Sequence, residues 1–210
     1  MPRWEPGAPE RLERAALELF AERGFEQTTV PEIAERAGLT TRSFFRHFAD
    51  KREVLFRGMD ELPDRVAGLL RDAPRSLSVV EMLSWGIETM ATNFFDGHRE
   101  ELRARRAIVE TDPGLQERDL RKQSDMAEAI ARALEEDGLD QLSATVAGKL
   151  AITISSTAIA HWLDAADDRP LVEHVKDVRD TATDLMADRV QRRSPDSEPA
   201  TSAKKTEPAS

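Results

Sequence analysis

AALELFAERGFEQTTVPEIAERAGLTTRSFFRHFADKREVL, residues 15 to 55, holds three helix signals in succession, and the last two are separated by about three residues. The first helix spans about Glu10 to Arg23. Its apolar positions Leu12, Ala15, Ala16, Leu19 and Phe20 follow the i, i+3, i+4 spacing of one buried face. Gly24 is placed as its left-handed C-cap. Thr29-Val30-Pro31-Glu32 has the Thr-x-x-Glu form of a capping box, and Pro31 is tolerated because first-turn amides have no helical acceptor. Ile33, Ala34 and Ala37 form the inner face of this second helix, which Gly38 stops. Thr40 is placed to N-cap a third helix through about Phe48.

Two helices joined by so short a turn make a helix-turn-helix. The N-terminal end of its second helix is the part that meets base edges in a DNA major groove, which selects Thr41, Arg42 and Ser43. Phe44 and Phe48, four apart, face inward. Arg46 lies away from that face, and Phe45 either joins the core or stays outside. From Arg36 to Arg57 six Lys/Arg face two acids, a net of +4 in a chain of net charge −10, so the remainder carries −14. A basic island in an acidic chain is the electrostatic footprint of phosphate contact. Arg3 either reaches a minor groove or belongs to a loose terminus.

The same stretch resembles the TetR family of one-component bacterial repressors through Ala15-Ala16, Leu19-Phe20, Gly24, Thr28-Thr29, Ile33-Ala34, Ala37-Gly38, His47-Phe48 and Lys51. The resemblance implies phosphate contacts from Thr29, His47 and Lys51, and base contacts from Thr41, Arg42 and Arg46. It also implies homodimers and relief of repression by a ligand. The chain departs from the family pattern at Phe45, where Tyr is common. Without the hydroxyl, only ring contact to a sugar or a thymine methyl remains.

The expected fold is all-α: a flexible arm at 1–9, a DNA-binding domain at 10–56, a connecting helix four at 51–72, a ligand-binding and dimerisation domain at 57–193 and a disordered tail at 194–210. Asp50-Lys51-Arg52-Glu53 reads as a capping box for helix four, and Pro63 as a kink in its middle. Ser78 starts a helix to about Asp96 whose stripe is Leu83, Ile87, Met90 and Phe94, with Met82 and Trp85 on its shoulder. Met82, Trp85, Met90, Phe94, Met126 and Thr157 are the candidate pocket wall. Arg99, Arg103, Arg105 and Arg106 are either solvated or available to an anionic effector. Asp112-Pro113 starts a long helix ending at Asp137-Gly138. Small residues from Ala144 on (Ala147, Gly148, Ala151, Ser155, Ala158) would let helices approach closely. Leu171, Val175, Val178, Ala182 and Leu185 repeat at coiled-coil spacing. With Ala151, Ile154, Ala158 and Trp162, they are the expected dimer surface.

With mean hydropathy −0.53 and no run of 18 apolar residues, no membrane span is expected, and a cytoplasmic location follows. The chain has no cysteine, no phosphate-binding Gly-rich loop and no catalytic constellation, so no enzyme activity, cofactor or metal is expected. His161 and His174 around Asp164, Asp167 and Asp168 read as an ordinary solvated turn. The expected partners are an inverted-repeat duplex, a second copy of the chain and an unspecified small-molecule effector. A regulator that senses nothing or needs its ligand to bind DNA is the nearer rival; a helical enzyme or metal-binding protein is the remote one.

Overall fold

A computed structural model describes residues 7–95 and 97–188, which are helical with no strand among them. Residues 1–6 of the arm expected at 1–9, Arg3 included, and the tail from 194 lie outside the described residues, while Ala8 and Pro9 already belong to the first helix.

Helix α1 (Ala8–Arg23) buries the Leu12, Ala15, Ala16, Leu19, Phe20 face and ends at Gly24, where φ is +86° and the amide donates to the Phe20 carbonyl. Helix α2 (Val30–Arg36) starts on the Thr29/Glu32 capping box, and α3 (Thr41–His47) starts where the Thr40 hydroxyl accepts from the Ser43 amide at 3.1 Å. Ile33, Phe44 and Phe48 close a core with the α1 face.

No continuous helix runs from 51 to 72. Asp50 does accept from the amides of Arg52 and Glu53, at 2.7 and 3.1 Å, but it starts only a 3-10 turn (Arg52–Phe56). The Glu53 carboxylate turns to Arg118 instead of closing the box. Arg57 is extended and Gly58 has φ +78°, so the chain breaks there. Helix α4 (Leu62–Arg71) then begins anew with Pro63 in its first turn, where a missing amide costs nothing. Pro63 starts a helix and kinks none.

The body continues through α5 (Val79–Met90), capped by a Ser78/Glu81 box, and a π-helical turn (Ala91–Phe95). After these come α6 (Arg99–Val109), α7 (Pro113–Glu136), α8 (Gln141–Asp164) and α9 (Leu171–Met186). Two body cores form, one between α4, α5, α7 and the first half of α8, the other between the second half of α8 and α9. The N-terminal core is not self-contained. Ile108 of α6 and Leu115 of α7 are buried in it, so the α6–α7 corner is part of both regions.

The expected dimer surface is largely interior. Ala151, Ile154, Ala158, Trp162, Leu171 and Val175 are buried within their own subunit, Val178 packs on the α8–α9 core, and Ala182 lines a small cavity between α5, α8 and α9. The small-residue stripe serves the α7–α8 crossing: a Cβ on Gly148 would lie 2.3 Å from the Ala127 carbonyl oxygen. Of the nine residues only Leu185 is fully open, at 60% exposure. Open instead is the α8 face Leu142, Val146, Lys149, Thr153 and Thr157, with Leu142 74% exposed. Helix α8 is long and apolar enough to cross a membrane, by length and composition alone.

Candidate DNA-reading surface and effector pocket

On α3 the inward pair Phe44 and Phe48 leaves Thr41, Arg42, Phe45, Arg46 and His47 exposed, with Ser43 half-buried. Phe45 is 55% exposed and rests edge-on against buried Phe44, ring centroids 5.5 Å apart. The core alternative for Phe45 is thereby settled in favour of the surface. Arg42 makes no ion pair among the described residues, and an Arg46 Nη lies 3.3 Å from His47 Nε2.

The remaining cations of the basic island are not equivalent. Arg36 forks onto Glu22, with both bonds at 2.9 Å, and onto Glu18. Arg57 binds Glu10 and Glu13. The Lys51 ammonium donates to the Phe25 and Thr28 carbonyls at 2.6 and 2.9 Å and lies 4.0 Å from the Phe25 ring centre. Burial pushes its pKa down. Two of its three N–H directions therefore hold the α1–α2 loop, and at most one is free for a phosphate. Thr29 likewise engages its hydroxyl with Glu32 at 2.7 Å.

One positioning group escaped the sequence reading. Arg11 of α1 donates to the Ala37 carbonyl, from Nε at 3.1 Å and from Nη2 at 2.5 Å, fixing the turn between α2 and α3. Gly38, the next residue, has φ +66°. No local pattern marks an arginine whose partner lies 26 residues away.

In the body, a cavity of about 130 Å³ opens between α4, α5, α7, α8 and α9. Its α5 side is Leu83, Gly86, Ile87 and Met90. The π turn then brings Ala91 and Phe95 to the wall, while Met126 and Ile130 of α7 face them. Among the lining residues only Ser155 carries a polar side chain, and its hydroxyl donates to the Ala151 carbonyl at 2.9 Å.

Of the six residues expected to line a pocket, Met90 and Met126 do. Met82 is buried in the adjoining core and Trp85 packs on it, because the pocket-facing register of α5 is 83, 86, 87 and 90. Phe94 is displaced by the π turn, which inserts a residue per turn and delivers Phe95 in its place. It is 41% exposed, with the Arg65 guanidinium 5.5 Å from its ring. Thr157 lies on the open face of α8.

The α6 arginines are engaged by the fold, although the Arg103 side chain remains 43% exposed. Arg99 donates to the carbonyls of Ala165 and Asp167 at 2.6 and 2.5 Å, and Arg103 to that of Leu163 at 2.9 and 2.7 Å. Arg106 reaches Asp164 at 3.0 Å. Positions 99, 103 and 106 share one face of α6, and together they cap the C-terminal end of α8, where orphan carbonyls collect. Arg105, on another face, binds Glu13 of α1, a carboxylate only 8% exposed that also takes Arg57. No group of three metal-ligating side chains occurs among the described residues.

Residues 13–57 match the bacterial regulatory proteins of the tetR family. Over 162 residues the chain is 30% identical to the transcriptional regulator MftR of Mycobacterium tuberculosis, a match covering 74% of this chain and 79% of that one. The chain belongs to the TetR family. As a TetR-family member it is a DNA-binding transcriptional regulator and not an enzyme. It is also 32% identical over 130 residues to the regulator TcmR of Streptomyces glaucescens, covering 60% of this chain and spanning 58% of that relative's length. Among solved structures, the regulator FadR of Bacillus subtilis shares the fold, with a TM-score of 0.54 at 17% identity over 87% of this chain and 99% of that one.

Proposed function

We propose that this chain is a homodimeric, cytoplasmic repressor of the TetR family that holds an inverted-repeat operator and is released by a small molecule bound in the body. The observation that carries the reading is the outward face of α3. Arg42 has no ion pair there among the described residues and stands beside exposed Thr41, Phe45 and Arg46, on a frame fixed by Arg11, Lys51 and the Thr29 box. In this reading residues 10–56 are the DNA-binding domain and 57–193 the sensor. Thr41, Arg42, Ser43, Phe45 and Arg46 face base edges. Thr29, Thr40 and His47 lie along the backbone, with the remaining N–H of Lys51.

A dimer is supported by the open apolar face of α8 at Leu142 and Val146, together with Leu185 and Met186 of α9. Pairing there would give a four-helix arrangement around a two-fold axis and set two α3 helices in successive major grooves, about 34–36 Å apart. The cavity supports ligand control. Leu62 and Val66 of α4, Phe95 ahead of α6 and Met126 of α7 line it, and the α6–α7 corner inserts Ile108 and Leu115 into the reader core. A ligand that favours a conformer with the wrong α3 separation lowers operator occupancy by its differential affinity for that conformer. The Bacillus subtilis regulator, which shares the fold, was solved in complex with stearoyl-CoA.

The test is selection of duplexes by the purified protein from a random pool at two salt concentrations. Enrichment of one inverted repeat is expected. Recovery of unrelated sequences with only salt-sensitive, weak binding would sink the specific-reader assignment.

A further inference from the structure

Resting on that reading, we infer that the effector cavity takes an uncharged hydrocarbon group, with no anionic head inside the body. Three observations converge. The wall is apolar from every helix that contributes to it, and its single hydroxyl, on Ser155, already donates to its own helix. Burying a carboxylate or phosphate against such a wall leaves it unpaired, a cost that pushes the group to stay in water or take up a proton.

Several cations on the helices around the cavity are engaged elsewhere. Arg65 binds Glu61 at 2.7 Å beneath the Phe94 ring, and Arg179 binds Glu88 at 3.1 Å. Lys122 holds Asp60, with Glu53 at 4.0 Å. The α6 arginines cap α8 or bind Glu13. Freeing Arg179, Lys122 or the α6 arginines removes a partly buried interaction, whereas the exposed Arg65–Glu61 pair contributes little to the fold.

The third observation is size and compliance. At about 130 Å³ the cavity approaches the ~150 Å³ apolar hole that stays dry and takes up benzene, which suits an alkyl or aryl group of about six carbons. Met90 and Met126 both line it, and thioether side chains adapt to ligands of different outline. The site thus selects against charge more sharply than for shape.

Three probes with one chain length separate the possibilities: 1-hexanol, sodium hexanoate and hexanoyl-CoA. Each is titrated against the full chain by thermal shift and by release of the selected operator. Hexanol should bind about a hundredfold tighter than hexanoate at neutral pH, and hexanoate should gain as the pH falls toward carboxyl protonation. Hexanoyl-CoA should bind no better than hexanoate. Ile152 of α8 also lines the cavity, and the Ile152→Trp variant, which fills it, should abolish the hexanol response. If that variant does not fold, the pH dependence of hexanoate binding still decides.

Hexanoate or hexanoyl-CoA binding as tightly as hexanol at neutral pH overturns the inference, as does binding of none of the three. An operator held and not released, with a thermal shift from hexanol, leaves the ligand class standing and removes the effector role. Failure to enrich an operator removes the reader assignment alone.

Discussion

Arginines do opposite work in the two regions of this molecule. On α3 the guanidinium of Arg42 has no ionic partner among the described residues, and Arg46 meets only the neighbouring His47. On α6, Arg99, Arg103, Arg105 and Arg106 each bind a group of the fold, carbonyl oxygens of the α8 end or Glu13. One region keeps its cations ready for an external polyanion; the other uses them to terminate a helix and join two cores. Residue type is the same in both, so composition cannot separate the roles. What separates them is whether an unsatisfied acceptor lies within reach inside the fold.

The largest expected effect is at the joint between the regions. Glu13 is buried against Arg57 and Arg105, and removing a buried partner strands the charges that remain. Glu13→Ala should lower unfolding stability by about 3 kcal/mol. A double-mutant cycle with Arg105→Ala in urea should give a coupling of about 1 kcal/mol or more. Additive single effects would mean that α1 and α6 are not energetically joined.

The contrast itself is tested by a matched pair. Arg103→Ala removes two charge-assisted bonds to the Leu163 carbonyl and should cost about 2 kcal/mol of stability, leaving base preference unchanged. Arg42→Ala should leave the urea midpoint alone and relax preference at one base pair per half-site by about 1–3 kcal/mol. If Arg42→Ala destabilises the fold, or Arg103→Ala alters base preference, the two regions do not divide the work as described.

Much of the reader was legible because its determinants are local. The Thr29/Glu32 box, the Thr40 cap, Gly24 and the Phe44/Phe48 pair each act within a few residues, and the structure contains all of them. The body was legible as helices and mostly illegible as a site. Phe94 was misplaced because a π turn shifts the register by one residue, and nothing in a 4, 3, 4 apolar spacing announces that shift. Helix α8 illustrates a second limit. Its small residues do allow close approach, but periodicity cannot say whether the approaching helix belongs to the same chain.

Gly148 makes that second limit measurable. Gly→Ala inside a helix ordinarily gains about 1 kcal/mol of propensity, and Gly68 in α4, with nothing within 4 Å of the added carbon, should show such a gain. At Gly148 the new carbon would sit 2.3 Å from the Ala127 carbonyl oxygen, a backbone atom that cannot move without shifting α7. Gly148→Ala should therefore be net destabilising by about 1 kcal/mol or more. Equal gains at both sites would place the small-residue stripe outside the α7–α8 crossing.

The smallest effect concerns pH and the far end of the same helix pair. His174 of α9 is 6% exposed, its Nε2 has no hydrogen-bond partner among the described residues, and Asp167 Oδ1 is 3.9 Å away. Burial, and then the nearby Arg169, hold its pKa below the ordinary 6.5; Asp167 and Asp177 offset this only in part. In this range the unfolded chain binds the proton more readily than the folded one. The histidine's contribution is therefore complete above pH 6.5 and is lost as the pH falls through the folded value. His174→Gln should flatten the fall in melting temperature between neutral and mildly acidic pH by the equivalent of less than about 1 kcal/mol. Because α6 clamps the neighbouring turn through Arg99, the same acidification should loosen the α8–α9 corner before it disturbs the reader, whose core contains no histidine. Amide exchange that accelerates first in α3 would contradict that order.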